Sequence, residues 1–160
     1  MAVVYFGLSA YAIANQSIEE LLLCTDTGGL RVPFSKELCR NYLFAFRGTP
    51  KDIEALHQGI GASFVVQGQS SESEREEILK FLVAKGLDVN HGDTHGLTPL
   101  HGAVLANSAS EVEMLLRSGA NARLKDEKFG LSSLELAVKL QSVGKPTDRQ
   151  AVIVLLRDAN

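Results

Sequence analysis

A period of about 33 residues runs through the second half of this sequence and limits the folds open to it. The block GLTPLHGA begins at Gly96, and a degenerate copy, GLSSLELA, begins one period later at Gly130. A second block, LLRSGAN, contains Gly119, and the related LVAKGLDVN places Gly86 one period earlier. The last residues, LLRDAN, repeat this block once more. Self-similarity at a fixed period of this length is the signature of a solenoid of stacked units.

The first block has the residues of a helix N-terminus. Thr98 is a good N-cap, and Pro99 suits the first helical position, where an N–H would have no helical partner. In the degenerate copy, Ser132 and Glu135 have the spacing of a capping box. Both copies therefore predict the start of a helix.

The second block has the residues of a helix that ends at a glycine. Val112, Leu115 and Leu116 form an apolar stripe that is predicted to face inward. Gly119 is typical of the left-handed residue that follows a helix. Each unit is therefore predicted as a helix, a short turn, an antiparallel helix and an irregular finger. No such unit can bury its apolar face alone, so neighbouring units must stack to form the core.

The block GLTPLHGA, together with the turn GANA that starts at Gly119, resembles the signature of ankyrin repeats, including those of small bacterial ankyrin proteins. The resemblance covers roughly residues 76–160. It implies an all-α ankyrin-repeat solenoid of about three to four helix-turn-helix units with a helical N-terminal cap. It also implies a structural role for His101, which would hydrogen-bond between neighbouring repeats. The sequence departs from the family pattern by SSLE in place of TPLH and by an insertion near residues 141–147.

The sequence upstream of the repeats divides into two less regular segments. Residues 36–75 are predicted to form a divergent ankyrin-like unit, in which Thr49 and Pro50 start a helix and residues 36–46 supply its partner. The stretch 63–73 is too short for a full finger, so this unit is expected to be eroded.

Residues 1–35 are predicted to form the helical N-terminal cap. Ser17 and Glu20 have capping-box spacing ahead of an apolar run, and residues 25–33 are predicted to be a loop. The apolar run AVVYFGLSAYAIA, residues 2–14, has no basic segment before it and is too short to span a bilayer. It is interpreted as a buried helix or strand, with a preceding signal peptide already removed as the alternative.

Composition argues against two classes of partner. Hydrophobic residues make up 45% of the chain and charged residues 22%, which is typical of a soluble globular domain. The net charge is −3, and the lysines and arginines are scattered, so the chain has no basic footprint for nucleic acid. Neither a nucleic-acid partner nor a membrane span is predicted, and the free protein is expected to be a monomer.

The two cysteines leave two alternatives open. Cys24 and Cys39 form one disulfide in an oxidising compartment, or they are two buried thiols in the cytosol. The missing basic segment at the N-terminus slightly favours the cytoplasm, and a removed signal peptide would favour the periplasm. Either cysteine could also pair with His57 as a nucleophile, but nothing in the sequence marks a cysteine as activated. No catalytic residue is therefore predicted, and the protein is not expected to be an enzyme.

Three histidines, His91, His95 and His101, lie close together in the sequence and raise the question of a metal site. No cysteine or paired carboxylate completes a ligand set around them. No glycine-rich phosphate loop or dinucleotide pattern is present either. The sequence therefore predicts neither a metal site nor a cofactor.

The resemblance implies that the fingers and first helices form a concave surface that binds proteins. The predicted partner-binding residues lie on the two fingers: His91, Asp93, His95, Arg123, Lys125, Glu127, Lys128 and Phe129. The predicted function is that of a binder or inhibitor of a partner protein, for example an immunity protein that neutralises a toxin or effector. The alternative is an enzymatic or ligand-binding module in residues 1–70, which would show a deep pocket with converging polar groups away from the repeats.

Overall fold

The computed structural model describes residues 13–27, 35–143 and 148–159. Within these ranges the regular elements are helices, joined by one isolated bridge between Lys125 and Ser132. The helices are α1 (Ile18–Thr27), α2 (Ser35–Phe46), α3 (Pro50–Gln58), α4 (Ala62–Val66), α5 (Glu72–Ala84), α6 (Pro99–Ala106), α7 (Ala109–Arg117), α8 (Ser133–Val143) and α9 (Gln150–Asp158). The expected all-α fold is confirmed.

The helices from α4 onward stack as pairs. Helix α4 packs against α5, α6 against α7, and α8 against α9. The pairs are stacked through α4 on α6, α6 on α8 and α7 on α9. This arrangement is the predicted solenoid of helix-turn-helix units.

The predicted helix boundaries in the repeats are confirmed by their hydrogen bonds. The hydroxyl of Thr98 accepts the backbone N–H of His101 at the start of α6. At the start of α8, Ser132 and Glu135 exchange side-chain and backbone bonds as a capping box. Gly119 follows α7 with a φ of 94°, in the left-handed region that favours glycine.

The inward stripe of α7 also matches the prediction. Val112 and Leu115 are fully buried, and Leu116 is half-buried against the same core. In α6, Leu100, Ala103 and Val104 are equally inaccessible to solvent, because helices pack on both sides of this middle pair. The core is therefore continuous from one pair to the next.

Helix α4 was not predicted. It lies in the stretch that is too short for a finger, and it joins α3 through the three-residue turn Gly59–Gly61. Gly61 has a φ of 54°, which permits this sharp reversal. Ala62, Val65 and Val66 are buried on one helical face. The stacked array therefore begins at Ala62, without a finger in front of it.

The N-terminal helices are arranged differently from the predicted pairing. Helix α2 packs mainly against α1, and α3 also contacts α1. A disulfide joins Cys24 in α1 to Cys39 in α2, so of the two alternatives for the cysteines the structure has the bridged one. The capping box of Ser17 and Glu20 at the start of α1 is confirmed.

Helix α1 is longer than the sequence suggests. Thr25 and Thr27 lie in the predicted loop but belong to the helix, and their hydroxyls donate to the carbonyls of Leu22 and Leu23. The rest of that loop, most of the apolar run before Ile13, and residues 144–147 of the predicted insertion lie outside the described residues.

An ion pair fixes the junction between α2 and α3. Arg47 contacts Asp52 at 2.6 Å, and both side chains are nearly buried. Arg47 also donates to the carbonyl of Gln16 at 2.9 Å, while Asp52 caps α3 by accepting from Thr49. Burial alone would raise the pKa of Asp52, but the bonds from Arg47 and Thr49 outweigh it and hold the pKa below its usual value.

Candidate protein-binding surface on two fingers

Two irregular segments project between the helix pairs, and we call residues 87–97 the first finger and residues 120–131 the second finger. In the first finger, the N–H of Asp93 donates to the carbonyl of Leu97 at 2.9 Å. The Asp93 carboxylate accepts the backbone N–H groups of His95 and Leu97 at 2.8 and 3.0 Å. Of the predicted partner-binding residues, Asp93 is therefore the one whose carboxylate holds the finger itself in shape.

Asp126 does the same work in the second finger. Its N–H donates to the carbonyl of Leu131 at 3.1 Å, and its carboxylate accepts the N–H groups of Phe129 and Leu131. The side chain is buried. Sequence reasoning missed this role, although Asp126 follows Asp93 by one period of the repeat.

Direct hydrogen bonds hold the two fingers against each other. The N–H of Asn121 donates to the side-chain oxygen of Asn90 at 2.7 Å, and the N–H of Glu127 donates to the carbonyl of Gly96 at 3.0 Å. A Cβ atom at Gly96 would lie 2.7 Å from that of Glu127. The two backbones approach this closely only because one of them carries glycine.

His101 connects α6 to the second finger. It is fully buried, with Nε2 2.9 Å from the carbonyl of Leu131 and Nδ1 2.7 Å from the hydroxyl of Thr98. A carbonyl only accepts, so Nε2 carries the proton and Nδ1 accepts from Thr98. The structural role implied by the resemblance is confirmed, and both ring nitrogens are occupied by protein groups.

Burial lowers the pKa of His101, although the Leu131 carbonyl and the carboxylate of Asp126, at 3.7 Å, act in the opposite direction. The imidazole therefore stays neutral in the folded protein at neutral pH. Neutrality fits its bonding, because a protonated Nδ1 could not accept the hydroxyl of Thr98.

His57 holds the base of the first finger, which the sequence did not indicate. Its Nε2 accepts the backbone N–H of Asp88 at 3.0 Å, and its ring stacks on that of His91 at a centroid distance of 4.6 Å. The hypothetical partners of His57 in nucleophilic catalysis, Cys24 and Cys39, are bonded to each other. That candidate catalytic pair is therefore wrong.

The remaining predicted side chains are displayed to solvent on the two fingers. The exposed members are His91, His95, Arg123, Lys125, Glu127, Lys128 and Phe129. Phe129 is 43% exposed, and the ammonium of Lys128 lies 5.5 Å from the centre of its ring. The second finger thus presents three cations and one aromatic ring beside a single exposed carboxylate.

An open cleft of about 340 Å³ lies between parts of the two fingers. Its walls include Asp88, His91 and Asp93 from the first finger and Lys125 and Glu127 from the second. A partner that entered the cleft could contact residues of both fingers at once.

A second cavity, of about 270 Å³, lies between α1 and α4. Its walls are largely apolar, with Asp26 and Arg75 as charged groups. Asp26 accepts the N–H groups of Gln69 and Ser70, and Arg75 donates to the carbonyl of Val66. Both charged groups of this cavity are therefore bonded to the backbone of the protein itself.

The residues that the structure describes contain neither a cluster of metal ligands nor a helix able to cross a membrane. Among these residues, no three His, Cys, Asp or Glu side chains are grouped so that they could hold a metal ion. In the same ranges, no helix has the length and apolar character needed to cross a membrane.

A family model described as ankyrin repeats (many copies) matches residues 82–137, which run from the end of α5 to the start of α8 and include both fingers. This part of the chain therefore consists of ankyrin repeats. Ankyrin repeats are protein–protein interaction modules without catalytic activity of their own.

Several curated relatives are much longer proteins that match part of this chain. ADP-ribosylation factor GTPase-activating protein AGD2 of Arabidopsis thaliana is 35% identical over 78 residues, 49% of this chain and 10% of its own length. The human transient receptor potential cation channel subfamily A member 1 is 26% identical over 143 residues, 80% of this chain and 12% of its own. Ankyrin repeat protein FPV031 of fowlpox virus is 40% identical over 65 residues, 39% of this chain and 19% of its own. The chain thus spans about a tenth of the length of the first of these relatives.

Proposed function

We propose that this ankyrin-repeat protein binds another protein through the side chains of its two fingers and acts by occupying that partner. The proposal rests on the presence of two kinds of residue along the fingers. Buried or bonded groups such as Asp93, Asp126 and His101 fix the backbone, while most charged and aromatic side chains of the fingers are exposed.

The second finger supplies the anchor of the proposed contact. Phe129 is large, exposed and covered on one side by Lys128, so a partner could bury apolar area and a cation at the same place. Aromatic residues and arginine are the side chains that most often dominate binding energy in interfaces.

The charge of this finger indicates an acidic partner. Arg123, Lys125 and Lys128 are exposed, and no carboxylate lies within ion-pair distance of Lys125 or Lys128 in the described residues. Asp126 carries the opposite charge, but it is buried and its carboxylate accepts backbone N–H groups. The chain as a whole has a net charge of −3, so the finger differs in sign from the rest of the molecule. Complementary charge favours association with a surface rich in Asp and Glu.

Inhibition of the partner is the finer form of this proposal, with an immunity protein that covers a toxin or effector as one example. In this form of the proposal, the effect on the partner comes from blocking its surface. The GTPase-activating activity in the names of the plant relatives is not proposed for this chain, because the match covers 10% of that protein.

Capture on immobilised protein, followed by titration of the purified partner, tests the proposal. The triple variant Arg123→Ala, Lys128→Ala, Phe129→Ala should bind the partner more than about tenfold more weakly, because truncation of an anchor costs about 2 kcal/mol or more. Its helical circular dichroism should be unchanged. Added salt should weaken the wild-type complex.

A matched control removes the same residue types elsewhere. Phe46 is 67% exposed, and Lys51 and Arg157 are exposed on other helices. The variant Phe46→Ala, Lys51→Ala, Arg157→Ala should retain full affinity. Equal affinities of wild type and finger variant, or a greater loss in the control, would overturn the proposal.

A further inference from the structure

The bases of the two fingers are held by the same kind of hydrogen bond from two different side chains. The N–H of Asn121 is accepted by Asn90, and the N–H of Asp88 is accepted by His57. The two donors are one period of the repeat apart, and so are the two acceptors, so the two bonds are equivalent positions of the repeat. Since α3 joins α4 without a finger, a helical histidine takes the place that the preceding finger's asparagine would occupy.

The two acceptors differ in one chemical respect. An asparagine side-chain oxygen accepts a hydrogen bond at any pH at which proteins fold. An imidazole nitrogen accepts only while it is unprotonated, and imidazole is the side chain that commonly gains its proton between about pH 5 and 8. Protonation of His57 at Nε2 would replace the acceptor with a second donor that faces the N–H of Asp88.

The charged and titratable groups around His57 decide what replaces this bond. The carboxylate of Asp88 lies beside the same bond, with one oxygen held by the N–H of Asn90 at 2.8 Å. The ring of His91 stacks on His57, so a charge on one imidazole opposes a charge on the other. On its own helix, Glu54 accepts from Gln58, and Glu19 of α1 approaches α3 at Gly59.

We propose that His57 makes the attachment of the first finger dependent on pH, so that mild acid frees the N–H of Asp88 and loosens the finger while the second finger stays in place. A protonated His57 can turn toward the Asp88 carboxylate, which satisfies its charge but leaves the backbone N–H without its acceptor. Because His91 lies on the first finger, the affinity for the partner should fall when that finger loosens. This last consequence alone rests on the proposed function.

Backbone NMR of the wild-type protein tests the proposal without a partner. Between roughly pH 7.5 and 5.5, the amide proton of Asp88 should move upfield and its hydrogen exchange should speed up beyond the general pH effect. The change should follow the titration of the His57 ring. The amide of Asn121, held by a side chain that does not titrate, is the internal reference and should stay constant. A constant Asp88 amide while the His57 ring titrates would overturn the proposal.

A matched variant keeps a hydrogen-bond acceptor at position 57 but removes its ability to gain a proton. In His57→Gln, the amide oxygen stands near the position of Nε2 and accepts at any pH, so the Asp88 amide should become as insensitive to pH as that of Asn121. His91→Gln removes the stacked ring and should leave the Asp88 response in place. A response that persists in His57→Gln would assign the effect to another group and contradict the proposal.

Measurements of partner affinity test the functional consequence of the proposal. Wild type should lose affinity for the captured partner between roughly pH 7.5 and 5.5 by more than His57→Gln does. Equal losses would mean that the loosened finger does not contribute to binding, which contradicts the functional consequence. If the finger triple variant binds normally, the proposed function fails while the NMR result for His57 stands.

Discussion

In the described part of residues 13–58, a disulfide and an ion pair add to the apolar contacts between the helices, whereas the helices of residues 62–159 are joined by contacts that recur from pair to pair. In the repeats, a side chain of one unit bonds to the backbone of the next, as His101 does with Leu131. In the N-terminal region, the Cys24–Cys39 bridge takes the place of that repetition.

This difference shows two ways of stabilising a helix pair that cannot bury its own apolar face. A repeat gains stability from neighbours, so its energy is spread over many similar interfaces. The N-terminal region has a neighbour on one side, and a covalent link that restricts the unfolded chain can supply part of what the missing neighbour would contribute. The two regions should therefore fail under different conditions.

The largest effect should follow from a cavity in the stacked region. Leu115→Ala should lower the free energy of unfolding by about 2–4 kcal/mol, because Leu115 is fully buried between helix pairs. Urea denaturation followed by circular dichroism measures it. Lys125→Ala, on the exposed second finger, should stay within about 0.5 kcal/mol, and equal midpoints for the two variants would refute the repeat register.

Loss of the disulfide should destabilise the N-terminal region by a similar amount, with little effect on the repeats. The bridge closes a loop over a separation of 15 residues, for which a chain-entropy model gives about 3 kcal/mol. In Cys24→Ser, Cys39→Ser, hydrogen exchange should accelerate in α1 and α2 and change little in α6 to α9. Uniform acceleration along the chain would contradict independent stabilisation of the two regions.

The same bridge can be tested in the protein as purified under non-reducing conditions. Alkylation before reduction should add no mass, whereas alkylation after reduction should label both cysteines. Labelling without reductant would show free thiols. A retained bridge would favour the periplasm or another oxidising compartment over the cytoplasm.

His101 should make the repeats sensitive to mild acid. Its pKa is lowered by burial, so between that pKa and 6.5 the unfolded chain binds a proton that the folded chain does not. The free energy of unfolding should therefore fall as pH decreases through this window. His101→Gln should be less stable by about 1–3 kcal/mol at neutral pH, through partners left unpaired, and should show a flatter profile. His95→Gln, on the exposed tip, should follow the wild-type profile.

Asp52 should make the stability of the N-terminal region depend on pH in a more acidic range than His101 does for the repeats. Because its pKa lies below the usual 3.8, its contribution is complete above that value and is lost as pH falls through the lowered pKa. The stability difference between wild type and Asp52→Asn should therefore shrink below about pH 4. Glu37→Gln, on the exposed face of α2, should show no such convergence, and a constant difference for Asp52→Asn would contradict the assignment.

The parts of the fold that the sequence predicted are those where local chemistry and the repeat period agree. Thr98 is favoured at its position by the hydrogen bond of its side chain, and Pro99 and Gly119 are favoured at theirs by backbone geometry. The period then showed that these positions belong to equivalent units. The finger residues followed from the same register, because what lies between two paired helices must be the projecting segment.

The parts that were missed depend on contacts between distant residues or on very short elements. Helix α4 has five residues, too few for a helical periodicity to stand out. The pairing of Cys24 with Cys39 depends on the packing of α1 against α2, and two cysteines alone do not determine their oxidation state. His57 acquires its role only where α3 meets the first finger, 31 residues further along the chain.

The order of buried and exposed residues around Asp126 affects how such a protein can acquire a new partner. Along the second finger, buried positions such as Ala122 and Asp126 alternate with exposed ones such as Arg123 and Lys128. Substitutions at the exposed positions typically change stability by less than about half a kcal/mol. New binding specificities can therefore arise by single substitutions without first acquiring compensating mutations elsewhere. Gly96 marks the limit of this freedom, since any side chain there would collide with the neighbouring finger.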